Sequence, residues 1–204
     1  MKQDEKKQGK NIYEASFNKA AEILRTSDLD QICRICGTSL KGSDIIVPFF
    51  NEEYTIQMPR VVFQPPTLSI YEHILILHYL TTLKDHSTKG EYVSFKNLPG
   101  AFFYNSTYRK RGPGQIVRIF GSNIKKIIEA AEKIGGRKAD YGDVSVKLNV
   151  FPELEAVVVM YREDDEFPPE ANILYRDDII NFLPLEDIAV LSGLIAGRLR
   201  QASA

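Results

Sequence analysis

Two apolar segments on either side of Pro152 constrain the fold of this chain more than any other feature. Residues 144–151 alternate between apolar and polar side chains, and residues 155–161 are apolar at almost every position. Alternation is typical of a strand with one buried face, whereas a short continuous apolar run is typical of a strand covered on both faces. Proline favours a turn between them. The sequence therefore predicts two adjacent strands of one sheet.

Helical periodicity predicts four helices that would pack on such a sheet, one of them capped by Ser122 and ended by Gly135. Residues 11–25 have an amphipathic pattern. Ser69 and Glu72 form a capping box, and the residues that follow, to position 83, are apolar nearly all round, which is typical of a central core helix. Pro184 opens the last helix, where its missing N–H leaves no hydrogen bond unmade.

Further short strands complete a predicted α+β fold. Residues 43–63 show strand periodicity, and residues 172–175 resemble another short strand. We expect an antiparallel or mixed sheet packed against a buried central helix and a C-terminal helix. The polar residues 1–10 are predicted to be a disordered tail. Residues 11–204 are predicted to form a single domain, although residues 43–63 could form a separate lobe.

Charge and composition exclude several classes of protein. The 204 residues include 26 basic and 27 acidic side chains, for a net charge of −1. A DNA-binding domain usually has a basic excess, so no nucleic-acid partner is expected. The first ten residues lack the apolar segment of a signal peptide, and no run is long and apolar enough to span a membrane. We predict a soluble, cytoplasmic protein with no membrane partner.

Cysteines and histidines are too few to predict a metal site. Cys33 and Cys36 have the C-x-x-C spacing of a metal or redox pair, but there is no second pair to complete a tetrahedral site. His73 and His78 are five residues apart, so they diverge on a helix. We interpret the cysteines as two small core thiols and predict no metal, and the histidines as hydrogen-bonded core residues.

A basic and aromatic segment, YNSTYRKRGPG from Tyr104 to Gly114, is the first candidate binding site. Arg109 and Arg111 supply charge beside glycines that let backbone amides approach an anion, and Tyr104 offers a ring for stacking. The segment lacks the spacing of a phosphate-binding loop. The alternative is a surface loop whose arginines pair with the acidic segment described next.

Residues 163–170 form the most acidic stretch and the second candidate site. They follow a strand that is predicted to be buried, so Asp165 and Glu166 are candidates to point into a crevice at the end of the sheet. Carboxylates placed in this way can bind a cation or serve as acid and base. The alternative is a solvated loop.

The order and spacing of several short segments resemble one protein family. They are residues 76–80, 90–95, 98–100, 164–168, 173–175 and 183–187. Together they resemble the domain of unknown function 3786 family, found mainly in anaerobic bacteria and archaea. The resemblance implies no established activity and carries over no catalytic residue. Some relatives resemble fusions with an iron–sulfur module like that of corrinoid proteins, which this chain lacks, so it would be a stand-alone version.

Three functional hypotheses remain open, because no motif identifies a reaction or a cofactor. The first is a small-molecule or cofactor-binding accessory domain, linked through the resemblance to corrinoid or one-carbon metabolism, with an anionic or aromatic ligand and a protein partner in that metabolism. It predicts a pocket that brings Tyr104, Arg109 or Arg111 close to Asp165 or Glu166. The second is an acid/base enzyme that uses this carboxylate cluster. The third is a protein-interaction module.

Overall fold

The chain folds into two compact units, each with its own antiparallel sheet and its own helices. A computed structural model describes residues 2–82 and 90–204, with side chains from residue 12 onward. The units are residues 1–85 and 86–204. The α+β class is confirmed, but two sheets replace the one that was predicted, because the strands of each unit pair with strands of that unit. The disordered tail over residues 1–10 and the single domain over residues 11–204 stay predictions.

The described residues of the first unit form three helices and a four-stranded sheet. Its elements are α1 (Lys2–Thr26), α2 (Leu29–Cys36), β1 (Ser39–Lys41), β2 (Asp44–Phe49), β3 (Glu52–Gln57), β4 (Val62–Gln64) and α3 (Ile70–Thr82). The sheet has the order β1-β2-β3-β4, and every neighbouring pair is antiparallel.

Helix α3 is the core helix that the sequence predicts. Six of its side chains are buried, and the Glu72 carboxylate accepts hydrogen bonds from both the backbone N–H and the hydroxyl of Ser69, each at 2.8 Å. The capping box is thus confirmed. The predicted helix end at Leu83 lies outside the described residues. Neither α3 nor any other helix in the described ranges is long and apolar enough to cross a membrane.

The described residues of the second unit form four helices, a five-stranded sheet and short 3₁₀ turns at Phe95–Asn97, Ala101–Tyr104 and Asp177–Asn181. The other elements are β5 (Tyr92–Ser94), α4 (Asn105–Arg111), α5 (Pro113–Phe120), α6 (Lys126–Lys133), β6 (Arg137–Ala139), β7 (Val144–Phe151), β8 (Leu154–Tyr161), β9 (Glu170–Arg176) and α7 (Leu185–Ala202). The sheet has the order β5-β9-β8-β7-β6.

Strands β7 and β8 form the hairpin predicted around Pro152. They pair antiparallel, with Lys147 opposite Val157, and β9 covers the other edge of β8. Val157 and Val158 point to opposite faces of the sheet, yet neither is exposed to solvent. The continuous apolar run of β8 therefore reflects burial on both faces, as expected of a central strand.

A glycine at the junction of two helices sets the position of α4. Gly112 joins α4 to α5, and a Cβ added there would lie 2.6 Å from the Cβ of Ser192 on α7. Any larger residue would have to push the two helices apart. The close contact holds α4 against α7, and α5 packs on β9. Helix α4 thereby lies beside the edge of the sheet.

Candidate functional site

Side chains form hydrogen bonds with the backbone of β9 beyond the point where its neighbouring strand, β5, ends. Strand β5 pairs only with residues 174–176 of β9. Next to that pairing, the Tyr108 hydroxyl donates to the carbonyl oxygen of Ile173 at 3.0 Å, and the Asn172 side-chain oxygen accepts from the Ile173 N–H at 2.9 Å. Both polar groups of Ile173 are satisfied without a strand. The shortness of β5 leaves room for a pocket here.

Tyr108 forms the floor of this region. Its ring stacks on Phe95, with centroids 4.1 Å apart and planes 9° apart, and only 2% of the residue is exposed. Burial raises the pKa of Tyr108 far above that of a free phenol. The hydroxyl therefore stays protonated at physiological pH and acts as a fixed hydrogen-bond donor to the sheet.

A polar pocket, here called the edge pocket, opens above Tyr108. About 50 Å³ of it is open to the centres of water molecules, and one water needs about 10–15 Å³, so it holds several waters or one small anion. Tyr108, Pro113 and Ala171 supply its apolar lining. The polar lining consists of Ser94, Lys96, Asn105, Arg109, Glu170 and Asn172.

Hydrogen-bond donors outnumber acceptors in the edge pocket. Arg109 and Glu170 form an ion pair at 3.2 Å, but both side chains are more than half exposed, so the pair contributes little to stability. In the described part of the chain, the side chains of Ser94, Lys96 and Asn105 make no hydrogen bond or ion pair. Two cations and one carboxylate leave the pocket with a net positive charge. Such a pocket suits an anionic group.

A second polar cluster, the sheet-face network, joins Lys147 of β7 and Glu155 of β8 on one face of the sheet. Glu155 is its centre and accepts hydrogen bonds from Tyr92 at 2.7 Å, Arg137 at 2.7 Å and Lys147 at 3.1 Å. Partial burial would raise the pKa of Glu155, but the three donors outweigh it and hold the pKa below its usual value. The carboxylate is thus ionised and surrounded by donors.

The cavity beside this network is smaller than the edge pocket, and the charged groups that line it already have partners. Arg176 donates two hydrogen bonds to Asp178, at 2.7 and 2.8 Å, and its guanidinium lies over the ring of Phe182. Only about 20 Å³ is open to water centres, which is room for one or two waters. Since its charged groups already have partners, this region stabilises the sheet and offers little to a ligand.

The structure separates the basic residues that the sequence grouped into one candidate site. Arg109 lines the edge pocket. Tyr104 precedes α4 and is 37% exposed. Arg111 lines a different, broad and open groove, together with Lys110 and Gly193. Ligand binding by Tyr104, Arg109 and Arg111 stays a prediction, and only Arg109 lies in the edge pocket.

The acidic residues of the second candidate site are exposed. Asp165 and Glu166 lie in the loop between β8 and β9, and neither lines the edge pocket. The Asp164 carboxylate accepts hydrogen bonds from the backbone N–H groups of Glu166 and Phe167, at 2.9 and 2.8 Å. Arg109 reaches Glu170 at the start of β9, which favours pairing with the acidic segment as the role of that arginine. Ligand binding by Asp165 and Glu166 stays a prediction.

The two cysteines, together with His73 and His78, belong to the first unit. Cys33 and Cys36 are buried and free on α2. His73 is half-buried and stacks on Phe63, with centroids 4.3 Å apart, and His78 lies 3.4 Å from the Ser16 hydroxyl. In the described ranges, no group of three or more His, Cys, Asp or Glu side chains is arranged to hold a metal ion.

Sequence reasoning missed most of the edge pocket. Ser94 and Lys96 precede the basic and aromatic segment and Asn105 lies within it, but nothing local shows that they converge with Asn172, which is far along the chain. Sequence reasoning did not identify the sheet-face network either, although its signal was local, since Lys147 and Glu155 lie in the two strands predicted to form a hairpin. Polar residues on paired strands meet on one face.

Comparison with known proteins identifies the family of this chain. No curated protein and no solved structure matches it significantly. The sequence profile of a domain of unknown function, DUF3786, matches residues 28–198, which is most of the chain and includes every residue of the edge pocket and of the sheet-face network. The resemblance seen in the short segments is confirmed, and the chain belongs to the DUF3786 family.

Proposed function

We propose that this domain binds a small anionic metabolite, with a carboxylate or phosphate group, in the edge pocket. The observation that carries this proposal is a set of donors that have no partner among the described residues: the Lys96 ammonium, the Ser94 hydroxyl and the Asn105 amide line one small cavity. Arg109 adds a second cation at its side. Donors that line one cavity can exchange their bound water for the oxygens of an anion.

The size of the edge pocket limits the ligand. A space of about 50 Å³ for water centres encloses a small acid or the charged end of a larger molecule. It does not enclose a corrinoid ring. The connection with corrinoid or one-carbon metabolism, which the resemblance implies, therefore narrows to the binding of a small acid from that chemistry, and it stays a prediction.

Binding suits the edge pocket better than catalysis does. Glu170 is its one carboxylate, and this side chain is more than half exposed and paired with Arg109. The Tyr108 hydroxyl is committed to the carbonyl oxygen of Ile173. Among the described residues, the pocket thus presents donors that hold an anion, and its Ser94 hydroxyl makes no hydrogen bond to a base that would activate it as a nucleophile. An accessory binding role follows.

Calorimetric titration with inorganic phosphate, sulfate and acetate tests the proposal. We expect at least one of them to bind, and Lys96→Ala combined with Arg109→Ala to weaken that binding by about tenfold or more. The matched control is Lys110→Ala combined with Arg111→Ala, which removes the same charge from positions that do not line the pocket. Equal losses in both double variants would show a diffuse charge effect and contradict the site.

A native mass spectrum and a visible absorption spectrum of protein purified without oxygen address the natural ligand. We expect a small added mass and no visible absorption band, since the pocket is too small for a coloured macrocycle. The Lys96→Ala variant should lose the added mass. A strong visible band would contradict the size argument and indicate a larger cofactor bound elsewhere.

A further inference from the structure

Two adjacent phenylalanines protrude into solvent on the turn that leads into α4. Phe102 and Phe103 are each 86% exposed, and their rings form a T-shaped pair with centroids 5.8 Å apart. We call this pair the aromatic tip. Single exposed apolar residues are common on protein surfaces, but two neighbouring rings exposed to this degree mark an interaction surface.

The aromatic tip is part of a strongly basic segment. Residues 92–128 contain seven basic side chains and no acidic one, although the whole chain has a net charge of −1. Lys110 and Arg111 are exposed near the end of α4, and the segment itself contains no carboxylate that could neutralise them. A surface that combines apolar and acidic side chains would complement the aromatic tip and the basic residues of its segment.

The same unit presents the complementary negative charge beside this segment. The acidic loop, residues 162–167, carries four carboxylates and the 65% exposed ring of Phe167. Glu170 binds Arg109 across a 3.2 Å ion pair just after this loop, and a Cβ added to Gly121 at the end of α5 would lie 3.3 Å from Pro169. The basic helices and the acidic loop are thus neighbours on one unit.

We propose that this surface is an isologous interface between two copies of the chain. A twofold axis would place the basic end of α4 in one copy against the acidic loop of the other, and the reverse contact would form at the same time. The aromatic tips would supply the apolar centre and the charges the rim. A second copy is favoured over another protein because this chain carries both charges and the exposed rings.

Sedimentation velocity of the full chain tests the interface. We expect a monomer–dimer equilibrium at concentrations up to about 100 µM. Replacing both rings, Phe102→Ser with Phe103→Ser, should raise the dimer dissociation constant by about tenfold or more. The control is Ile12→Ser, which replaces a 64% exposed apolar side chain on α1. A monomer across this range, or a dimer equally sensitive to both replacements, would overturn the proposal.

Charge reversal provides a second test, which distinguishes a specific interface from non-specific association. Lys110→Glu with Arg111→Glu, and separately Asp165→Lys with Glu166→Lys, should each weaken the homodimer, because like charges would then face each other. Mixing the two variants should restore association, since both contacts of the mixed dimer again join opposite charges. Failure of the mixture to associate while the parent chain dimerises would assign the dimer to another surface and reject this one.

Discussion

The sheet-face network and the edge pocket use similar side chains in opposite ways. In the network, Glu155 accepts from three donors, and Arg176 and Asp178 satisfy each other. In the edge pocket, Lys96 and its neighbours present donors that have no acceptor in the described residues. The cavity volume open to water centres is also smaller beside the network, about 20 Å³, than in the edge pocket, about 50 Å³.

The difference separates a stabilising role from a binding role. Polar groups that satisfy one another stabilise the fold and leave no free capacity for a ligand. Donors that are held by the fold but keep only water as a partner add little to stability, and they are available to an anion. Substitutions in the two regions should therefore change different quantities.

Removal of the central carboxylate should give the largest loss of stability. Glu155→Ala leaves Tyr92, Arg137 and Lys147 without their shared acceptor, and we expect the free energy of unfolding to fall by about 2 kcal/mol. Urea denaturation followed by circular dichroism measures this. Glu163→Ala, in the exposed loop, is the control and should change it by less than about 0.5 kcal/mol. A similar loss in both variants would remove the distinction between network and surface.

Tyr108→Phe should have the next largest effect. It keeps the stacking on Phe95 but leaves the buried carbonyl of Ile173 without its donor, at a cost of about 1–2 kcal/mol. Hydrogen exchange should accelerate at the start of β9 more than in β7. An unchanged exchange rate in β9 would show that water replaces the hydroxyl, and that the floor of the pocket does not depend on this bond.

Lowering the pH should weaken the sheet-face network in the range where the Glu155 carboxylate becomes protonated. Its pKa is lower in the folded chain than in the unfolded chain, so its contribution is complete above the ordinary carboxyl pKa and is lost as the pH falls through the lower, folded value. As the pH is lowered from about 6 to about 3, the free energy of unfolding should fall more steeply for the parent chain than for Glu155→Gln. Parallel curves would contradict the assignment of Glu155 as the acceptor.

Lys96→Ala should have the smallest effect on stability and a large effect on binding. The ammonium loses no hydrogen bond within the described residues, so the free energy of unfolding should change by less than about 0.5 kcal/mol. Anion affinity should still fall, because a charge beside the ligand is lost. Denaturation and calorimetric titration of one preparation measure both quantities. A loss of stability like that of Glu155→Ala would place Lys96 in the structural group.

Local pattern was sufficient to predict the main elements. Periodicity and capping predicted β7, β8, α3 and α7, since an apolar repeat and a cap depend on residues a few positions apart. The same reasoning missed the short helix α2, and it gave a separate lobe over residues 43–63 only as an alternative to a single domain. An element of a few residues carries too short a pattern to show its type or its partner.

The sequence by itself determined the α+β class, the strand pair around Pro152 and the core helix, and its short segments were sufficient to identify the DUF3786 family. It also placed Arg109 among the candidate residues. Only the tertiary structure decided that Arg109 meets Glu170 rather than Asp165, and that Ser94, Lys96 and Asn105 share one cavity with Asn172. The physical reason is that three-residue β5 pairs with the distant β9, and where a short strand stops along its partner is set by packing.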